Sequence, residues 1–401
     1  MIALKRASIS LAVLAACSFA GTAALRADDV ANDSTPAVTP MFAQPAESSD
    51  ADVSWPTDER DGYVDGMTDA ATDAGGIGRD DESPAAARRN VTHSVYIEND
   101  SPIFKPNGTS DRQYTSGVGL RFTFKPDWVR GFANVLTLEE FPEERTAFGI
   151  NAGHQIFAPD NLHKRTLILD DRPYAGYLFG GVHFQRSNEI TADHVQIDMG
   201  VVGPSSQADH IQKAIHKTIG GDDPRGWDNQ LDDEFAFQTY LRKKWRVDLN
   251  PMVFGETKLD AQLIPHVNLA AGTVHRFLEA GGTLRIGVQL PDDFGPDRFE
   301  DIGDFTGNDI ADRFSLYGFV RGTGRVVEHN MFLEGNTWKD SHGVDAKALV
   351  GELQAGAVLQ YRFEAMTFAF GYSQTFRSEQ FDGQKSTHSF GAWVFQGHLT
   401  F

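Results

Sequence analysis

The sequence predicts an all-β fold, a 12-stranded antiparallel transmembrane β-barrel with a short helix in an extracellular loop, and three observations predict it. The chain opens on an export signal. Beyond that signal, from residue 91 onward, no apolar run reaches the ~20 residues that a membrane helix needs, yet twelve segments alternate with period two. The last of these segments ends on Phe401.

Residues 1–27, MIALKRASISLAVLAACSFAGTAALRA, place Lys5 and Arg6 before an apolar stretch from Ala7 to Ala16, too short to span a bilayer and followed by small residues. That is the form of a signal peptide. Two processing routes fit it. One is cleavage after a small residue near Ala24 or Ala27; the other is lipidation at Cys17, since Leu14-Ala15-Ala16-Cys17 has the pattern of a lipoprotein signal. Either way no cysteine pair remains, which excludes a disulfide framework. Residues 28–90 are rich in Asp, Ala, Ser, Pro and Gly, with Trp55 and Tyr63 almost the only large side chains. Such a stretch buries too little apolar surface to offset its ordering entropy, so it is expected to be a disordered acidic tether. It carries much of the formal net charge of -20, as a solubilising segment or as an interaction arm. The chain has no basic block to neutralise phosphates, which argues against a nucleic-acid partner.

The barrel is expected over residues 91–401. Its strands are read at HSVYIEN (93–99), YTSGVGLRFTF (114–124), RTAFGINAGHQIF (145–157), YAGYLFGGVHFQ (174–185), HVQIDMGVVG (194–203) and FAFQTYLRKKWRV (235–247). They continue at AQLIPHVNLAAGTVH (261–275), TLRIGVQL (283–290), RFSLYGFVRGTGRVV (313–327), LVGELQAGAVLQYRF (349–363), MTFAFGYSQTF (366–376) and THSFGAWVFQGHLTF (387–401). Aromatic and glycine-rich strands of this length, divided by turn residues, suit a barrel that is apolar outside and polar or small inside. A soluble sandwich would alternate in the same way. The C-terminus separates the two: back from Phe401, Leu399, Gly397, Phe395 and Trp393 alternate with Thr400, His398 and Gln396. This resembles the signal by which bacterial outer-membrane barrels are recognised, and it implies the outer membrane as location and the barrel assembly machinery as partner; a monomer is the expected state.

An even strand count with both ends in the periplasm sets the side of every loop. The outer connections are then 99–113, 158–172 and 204–234, and the inner ones 125–144, 188–193, 249–260 and 291–312. Polar residues without an obvious barrel role gather on the outer three. The first holds Asn99 and Asp100 at one end, with Asp111, Arg112, Tyr114 and Thr115 at the other. The second, DDRPYAGYL, holds Asp170, Asp171, Arg172 and Tyr174. The third carries a helical segment from about Ser206 to Ile219, ended by Gly220-Gly221, on which Gln212 and His216 share a face at spacing i, i+4. An imidazole titrates near neutrality and can take a proton from water. A carboxylate with amide and hydroxyl oxygens suits calcium, which can support the oxyanion of an ester. The pattern therefore points to metal-assisted acyl-ester hydrolysis at a rim where membrane lipid is within reach.

Plainer roles are open to the same residues. Asn and Asp at a strand end form turns, a histidine on a loop helix can serve packing, Arg172 can pair with a rim carboxylate, and Trp227 and Tyr174 can be interfacial aromatics. There is no G-x-S-x-G elbow, H-E-x-x-H helix or phosphate-binding G-x-x-x-x-G-K, and no cysteine nucleophile. His154, His163, His183 and His194 lack metal-ligand spacing and are read as structural.

The ordered set ENDS, DRQYTSGVGL, DDRPYAGYL, QKAIHKTIG, PRGWDNQL with DDE, GNTW and a terminal strand ending in Phe resembles the outer-membrane lipid A 3'-O-deacylase family, from about residue 91 to 401. The resemblance implies a calcium-dependent esterase that removes acyl chains at the 3' position of lipid A from the outer leaflet. It implies His216 as the base, Asn99, Asp100 and Thr115 as catalytic and calcium-binding residues, and an acidic group on Asp222 or Asp223, with Asp222 counted among the metal ligands. Arg172, Tyr174, Lys164 and Trp227 are the substrate-binding candidates, and lipopolysaccharide is the substrate. A phospholipase, or a non-catalytic pore or adhesin, are the alternatives. The acidic tether is a departure from the short N-termini of the family.

Overall fold

The structure, a computed structural model, describes residues 90–100, 113–219, 221–254, 257–296, 298, 313–364, 366–385 and 388–400. The expected signal peptide, the tether, the middle of the first outer loop with Asp111 and Arg112, and Phe401 lie outside the described residues. Period-two alternation becomes pairing throughout the rest. The strands are β1 (Asn90–Asn99), β2 (Gln113–Phe124), β3 (Thr146–Ala158), β4 (Ala175–Ser187), β5 (Thr191–Val202), β6 (Glu234–Trp245) and β7 (Val247–Phe254). They continue as β8 (Thr257–Gly272), β9 (His275–Val288), β10 (Phe314–Asn330), β11 (Leu349–Phe363), β12 (Met366–Arg377) and β13 (His388–Thr400). Every pairing is antiparallel; β1 meets β13, and β6 meets β8. The closed ring therefore holds twelve strands, with β7 outside it. Residues 246–254 prolong the β6 strand after a break at Arg246 and pair with the first half of β8.

Two expected boundaries differ. The 249–260 connection is strand rather than loop, because VDLNPMVF and TKLDAQL continue the alternation past the barrel edge on either side of a hairpin. The turn expected after residue 275 lies at Thr273 and Val274 instead, and no Pro or Asn-Gly marks it. It is set by contacts across the rim: Thr273 N donates to Phe237 O, and Met331 N donates to Val274 O. Among the described residues there are also three α-helical segments, α1 (Asp127–Arg130), α2 (Ala208–Ile219) and α3 (Met331–Glu334). Of these the alternation and capping signals had indicated only α2.

Alternate residues split cleanly between the two faces. Outward positions such as Phe122, Ile150, Leu178, Phe235, Leu353 and Phe370 are exposed apolar side chains, as a lipid-facing band requires. Inward positions are buried and largely polar, with charged residues among them. Glu279 meets Arg242, Arg321 and Arg325, and Glu352 meets Arg298 and Arg377. Residues 289–296 and Arg298 fold back into the lumen from the inner end: Asp293 pairs with Arg285, Phe294 packs with Ala192 and Ile264, and Arg298 reaches Glu352 on β11. The 125–145 connection runs the other way, over the outside of the wall. Trp128 on α1 packs on outward-facing Phe148, and Arg186 donates to the carbonyls of Ala133 and Val135 while pairing with Asp193.

Candidate functional site

The site is built where β1 ends and β2 begins. Asn99 lies on the outward face of β1 opposite Ser116. Its Nδ2 donates to Thr115 O at 3.1 Å, and Asp100 N donates to the same oxygen at 3.3 Å. Thr115 is the extra residue of a β-bulge: Tyr114 pairs with Phe157 and Ser116 with Ile156, and Thr115 is left between them. A bulge re-aims a side chain and ends regular pairing. Thr115 Oγ1 is buried, with no hydrogen-bond partner among the described residues. Asp100 is 5% exposed. Three oxygen-bearing side chains, one of them an orphaned buried hydroxyl, suit a hard cation that prefers oxygen ligands, so the residues present fit calcium. Among the described residues no cluster of three His, Cys, Asp or Glu adds a competing transition-metal site.

Opposite this wall, the third loop lays α2 on the outside of β3 and β4. The approach depends on Gly176, where a Cβ would come within 2.2 Å of Ala208 Cβ and 2.1 Å of Ser206 Oγ. His154 Nε2, on the outward face of β3, lies 3.0 Å from Ser206 O. Ile156 and Ala158 pack with Ala208, Tyr174, Trp227 and Ile211. Ala208, Gln212 and His216, each a turn apart, form the buried side of the helix, and Asp209, His210, Lys213, Lys217 and Thr218 lie at its edges or in solvent. His216 therefore faces the wall rather than water. Its Nδ1 hydrogen-bonds the backbone oxygen of Asp222. In the neutral ring that bond puts the proton on Nδ1 and the lone pair on Nε2. Gly221 makes the tight return possible: its N donates to His216 O at 2.9 Å, and a Cβ there would sit 3.2 Å from His216 Cγ.

The remaining sequence candidates fall in three places. Asp222 turns its carboxylate to the surface, 3.6 Å from His163 Nε2, and its contribution to the site is the backbone carbonyl on His216. Tyr174 and Trp227 are buried, 3% exposed each, with ring centroids 4.8 Å apart. They form a prop beneath α2: Trp227 Nε1 donates to Gln212 Oε1 at 2.8 Å, and burial pushes the Tyr174 phenol above its usual range. Lys164 is exposed in the second loop, beside the strand of contacts in which Arg225 N donates to Leu162 O. Arg172 lies on the other side of the wall. It is buried in the barrel mouth, where its Nε donates to Gln113 Oε1 at 2.7 Å, and burial lowers its guanidinium to about 10.

Two features escaped the sequence reading. Gln212 had been placed on the His216 face but given no task. With its oxygen held by Trp227, its Nε2 is a buried donor with no partner among the described residues. The role of the Asp222 carbonyl carries no signal in the side-chain pattern; only the Gly-Gly sequence after the helix hints at the sharp return.

Comparison with known proteins accords with this geometry. The family model described as outer membrane protein LpxR matches residues 73–399. Among solved structures, LpxR from Salmonella typhimurium has the same fold, with a TM-score of 0.58 at 18% identity, covering 76% of this chain and 99% of that one. The transport unit of the autotransporter AIDA-I from Escherichia coli is matched far more loosely, with a TM-score of 0.36 at 10% identity over 80% of this chain and 93% of its own. No curated protein matches the sequence. Since the family model spans well over half of the chain, this outer-membrane barrel belongs to the LpxR family.

Proposed function

We propose that the chain is an outer-membrane lipid A deacylase, a carboxylic ester hydrolase that cleaves the 3'-linked acyl ester of lipid A in the outer leaflet. The observation that carries the reading is the position of His216: buried on the wall-facing side of α2, outside the barrel, with Nδ1 tied to the Asp222 carbonyl. A lipid ester can reach that face laterally, without entering the lumen. His216 Nε2 takes a proton from water, and the water oxygen attacks the acyl carbonyl carbon. Charge develops on the carbonyl oxygen, and Gln212 Nε2, already oriented by Trp227, donates to it. The bond from the acyl carbon to the sugar oxygen then breaks, His216 returns its proton to that oxygen, and a free fatty acid leaves. Calcium, held by Asn99, Asp100 and Thr115, would add positive charge near the developing oxyanion. Lys164, on the exposed second loop, is a basic group on this side of the wall for a substrate phosphate. The enzyme acts as a monomer after insertion by the barrel assembly machinery.

Mass spectrometry of lipid A from cells that express the protein tests the reading. Wild type is expected to remove the 3' acyl chains, and His216→Ala and Asp100→Ala to leave them in place while the heat-modifiable barrel persists in the membrane. Unchanged lipid A with wild type in calcium-containing medium would sink the proposal. Release of fatty acid from glycerophospholipid vesicles instead would favour a phospholipase.

A further inference from the structure

We propose that the barrel mouth holds a second binding site, for an oxyanion group such as a phosphate or a carboxylate, on the lumen side of the wall and apart from the face that carries His216. A cavity of about 30 Å³ lies there, lined by Arg172, Arg325, Lys347 and Arg377 together with His275 and Asn330, and among its described lining residues there is no carboxylate. About 10–15 Å³ is enough for one water, so the space takes roughly two waters, or the oxygens of one small anionic group.

Three of the four cations already have acidic partners behind the cavity wall. Arg325 pairs with Glu279, Arg377 with Glu352 at 2.7 Å, and Lys347 with Glu379 at 3.0 Å and Asp382 at 3.3 Å. Those lumen glutamates have little charge to spare, since Glu279 is shared by Arg242, Arg321 and Arg325, and Glu352 by Arg298 and Arg377. Arg172 differs from its neighbours. It is 2% exposed, and among the described residues its guanidinium donates only to neutral amide oxygens, Gln113 Oε1 at 2.7 Å and Gln380 Oε1 at 3.1 Å. The rings of Phe157 and Phe381 flank it at 5.8 and 5.9 Å. Asp171 and Asp160 lie near enough to favour its charge, but no carboxylate bonds the fork itself among the described residues. A buried cation is costly unless its donors are met by charge, and a planar guanidinium fork is suited to an oxyanion's paired oxygens. The two amides hold the fork in place, and an oxyanion in the cavity supplies a charged acceptor. Phe332 of α3 stacks on Phe157 at 3.9 Å over this end of the lumen, so the site lies at the outer end of the barrel. Both the anionic headgroup of a surface glycolipid and free phosphate carry the required chemistry.

Calorimetric titration of the folded full-length protein in detergent with inorganic phosphate, against chloride at matched ionic strength, tests the site. Saturable one-to-one binding is expected, weakened about tenfold or more in Arg172→Gln and Lys347→Gln, as loss of a charged hydrogen bond implies. It should be unchanged in Lys258→Gln, whose lysine is exposed and pairs with Asp260 at the far end of the barrel. Heat-shift gels establish that each variant is folded. No saturable phosphate binding by wild type, or equal binding by folded Arg172→Gln and Lys347→Gln, overturns the proposal. In a second arm, purified lipopolysaccharide that competes with phosphate assigns the site to a lipid headgroup, and phosphate binding indifferent to lipopolysaccharide assigns it to the free ion. Binding is read without turnover, so this site and the hydrolytic reading fail independently.

Discussion

Gln212 and His216 lie one turn apart on the buried side of α2, and each is oriented by a contact from the same loop: Trp227 Nε1 on Gln212 Oε1, and Asp222 O on His216 Nδ1. Their i, i+4 spacing was legible because a helix repeats in the sequence. The Asp222 contact was not, because it is made by a backbone atom and any residue type supplies a carbonyl. If Gln212 Nε2 meets the developing oxyanion, Gln212→Ala lowers kcat by about 10²-fold, the usual loss for one such donor, with KM little changed. Trp227→Phe keeps most of the ring contact with Tyr174 but deletes the Nε1–H, so a smaller loss of about tenfold in kcat is expected, consistent with one weakened orienting hydrogen bond. Steady-state deacylation in mixed micelles separates these effects; a Gln212→Ala enzyme with wild-type kcat removes this residue from the mechanism. The orphaned Thr115 hydroxyl beside Asn99 and Asp100 carries a second expectation. Chelation with EDTA should abolish turnover, and added calcium should restore it.

At the level of elements, the strands were readable wherever side chains alternate between lipid and lumen, since a one-residue slip would put Arg121 or Arg321 on the lipid face. Legibility ended where an element leaves the barrel wall. The β7–β8 hairpin continues the alternation beyond the membrane edge and resembles a connection only if the barrel is assumed to stop there. The 125–145 connection appeared to be a plain inner loop, yet it is a strap across the outside of β4 to β6. It covers Arg186, Asp193 and Lys243, which join Glu139 in one ion-pair cluster, and it leaves Phe132, Leu136 and Leu138 exposed. Sequence shows the apolar residues of this strap but not the charges they screen, because Arg186, Asp193 and Lys243 belong to three different strands. Arg186→Ala leaves Asp193 paired with Lys243 but without its guanidinium, so the cost is expected to fall below the roughly 3–5 kcal/mol of a fully uncompensated buried charge. The measurement is the urea midpoint of barrel unfolding in detergent, read by heat-shift mobility. A midpoint equal to that of wild type would show that the strap is held by its apolar contacts alone.

Over the whole molecule, the lumen decides between a catalyst that works from its outer wall and a barrel that conducts. Twelve strands enclose enough space for a water-filled path only if inward side chains and loops leave it open. Among the described residues much of that space is occupied. Glu279 and Glu352 with their arginines line the interior, and residues 289–296 with Arg298 enter from the inner end, with Asp293 on Arg285, Lys244 on Phe294 O and Arg298 on Glu352. These pairs contribute little net stability, because desolvating both charges offsets most of their attraction. They do fill the lumen with groups that cannot swing aside without leaving a buried charge unpaired. The polar inward positions were legible in the sequence as period-two partners of the apolar ones, but their mutual pairing and the inward course of residues 289–298 depend on closure of the ring. The expected outcome is that wild-type protein in planar bilayers shows no stepwise conductance, with or without EDTA. Arg298→Ala together with Asp293→Ala, which releases two of the described anchors of the inner connection, should admit small, flickering currents while leaving lipid A deacylation within about twofold of wild type, since both residues are remote from α2 and distant sites act nearly independently. Porin-like steps from the wild type would revive the non-catalytic pore, and loss of deacylation in the double variant would show that the outer-wall site depends on a filled lumen.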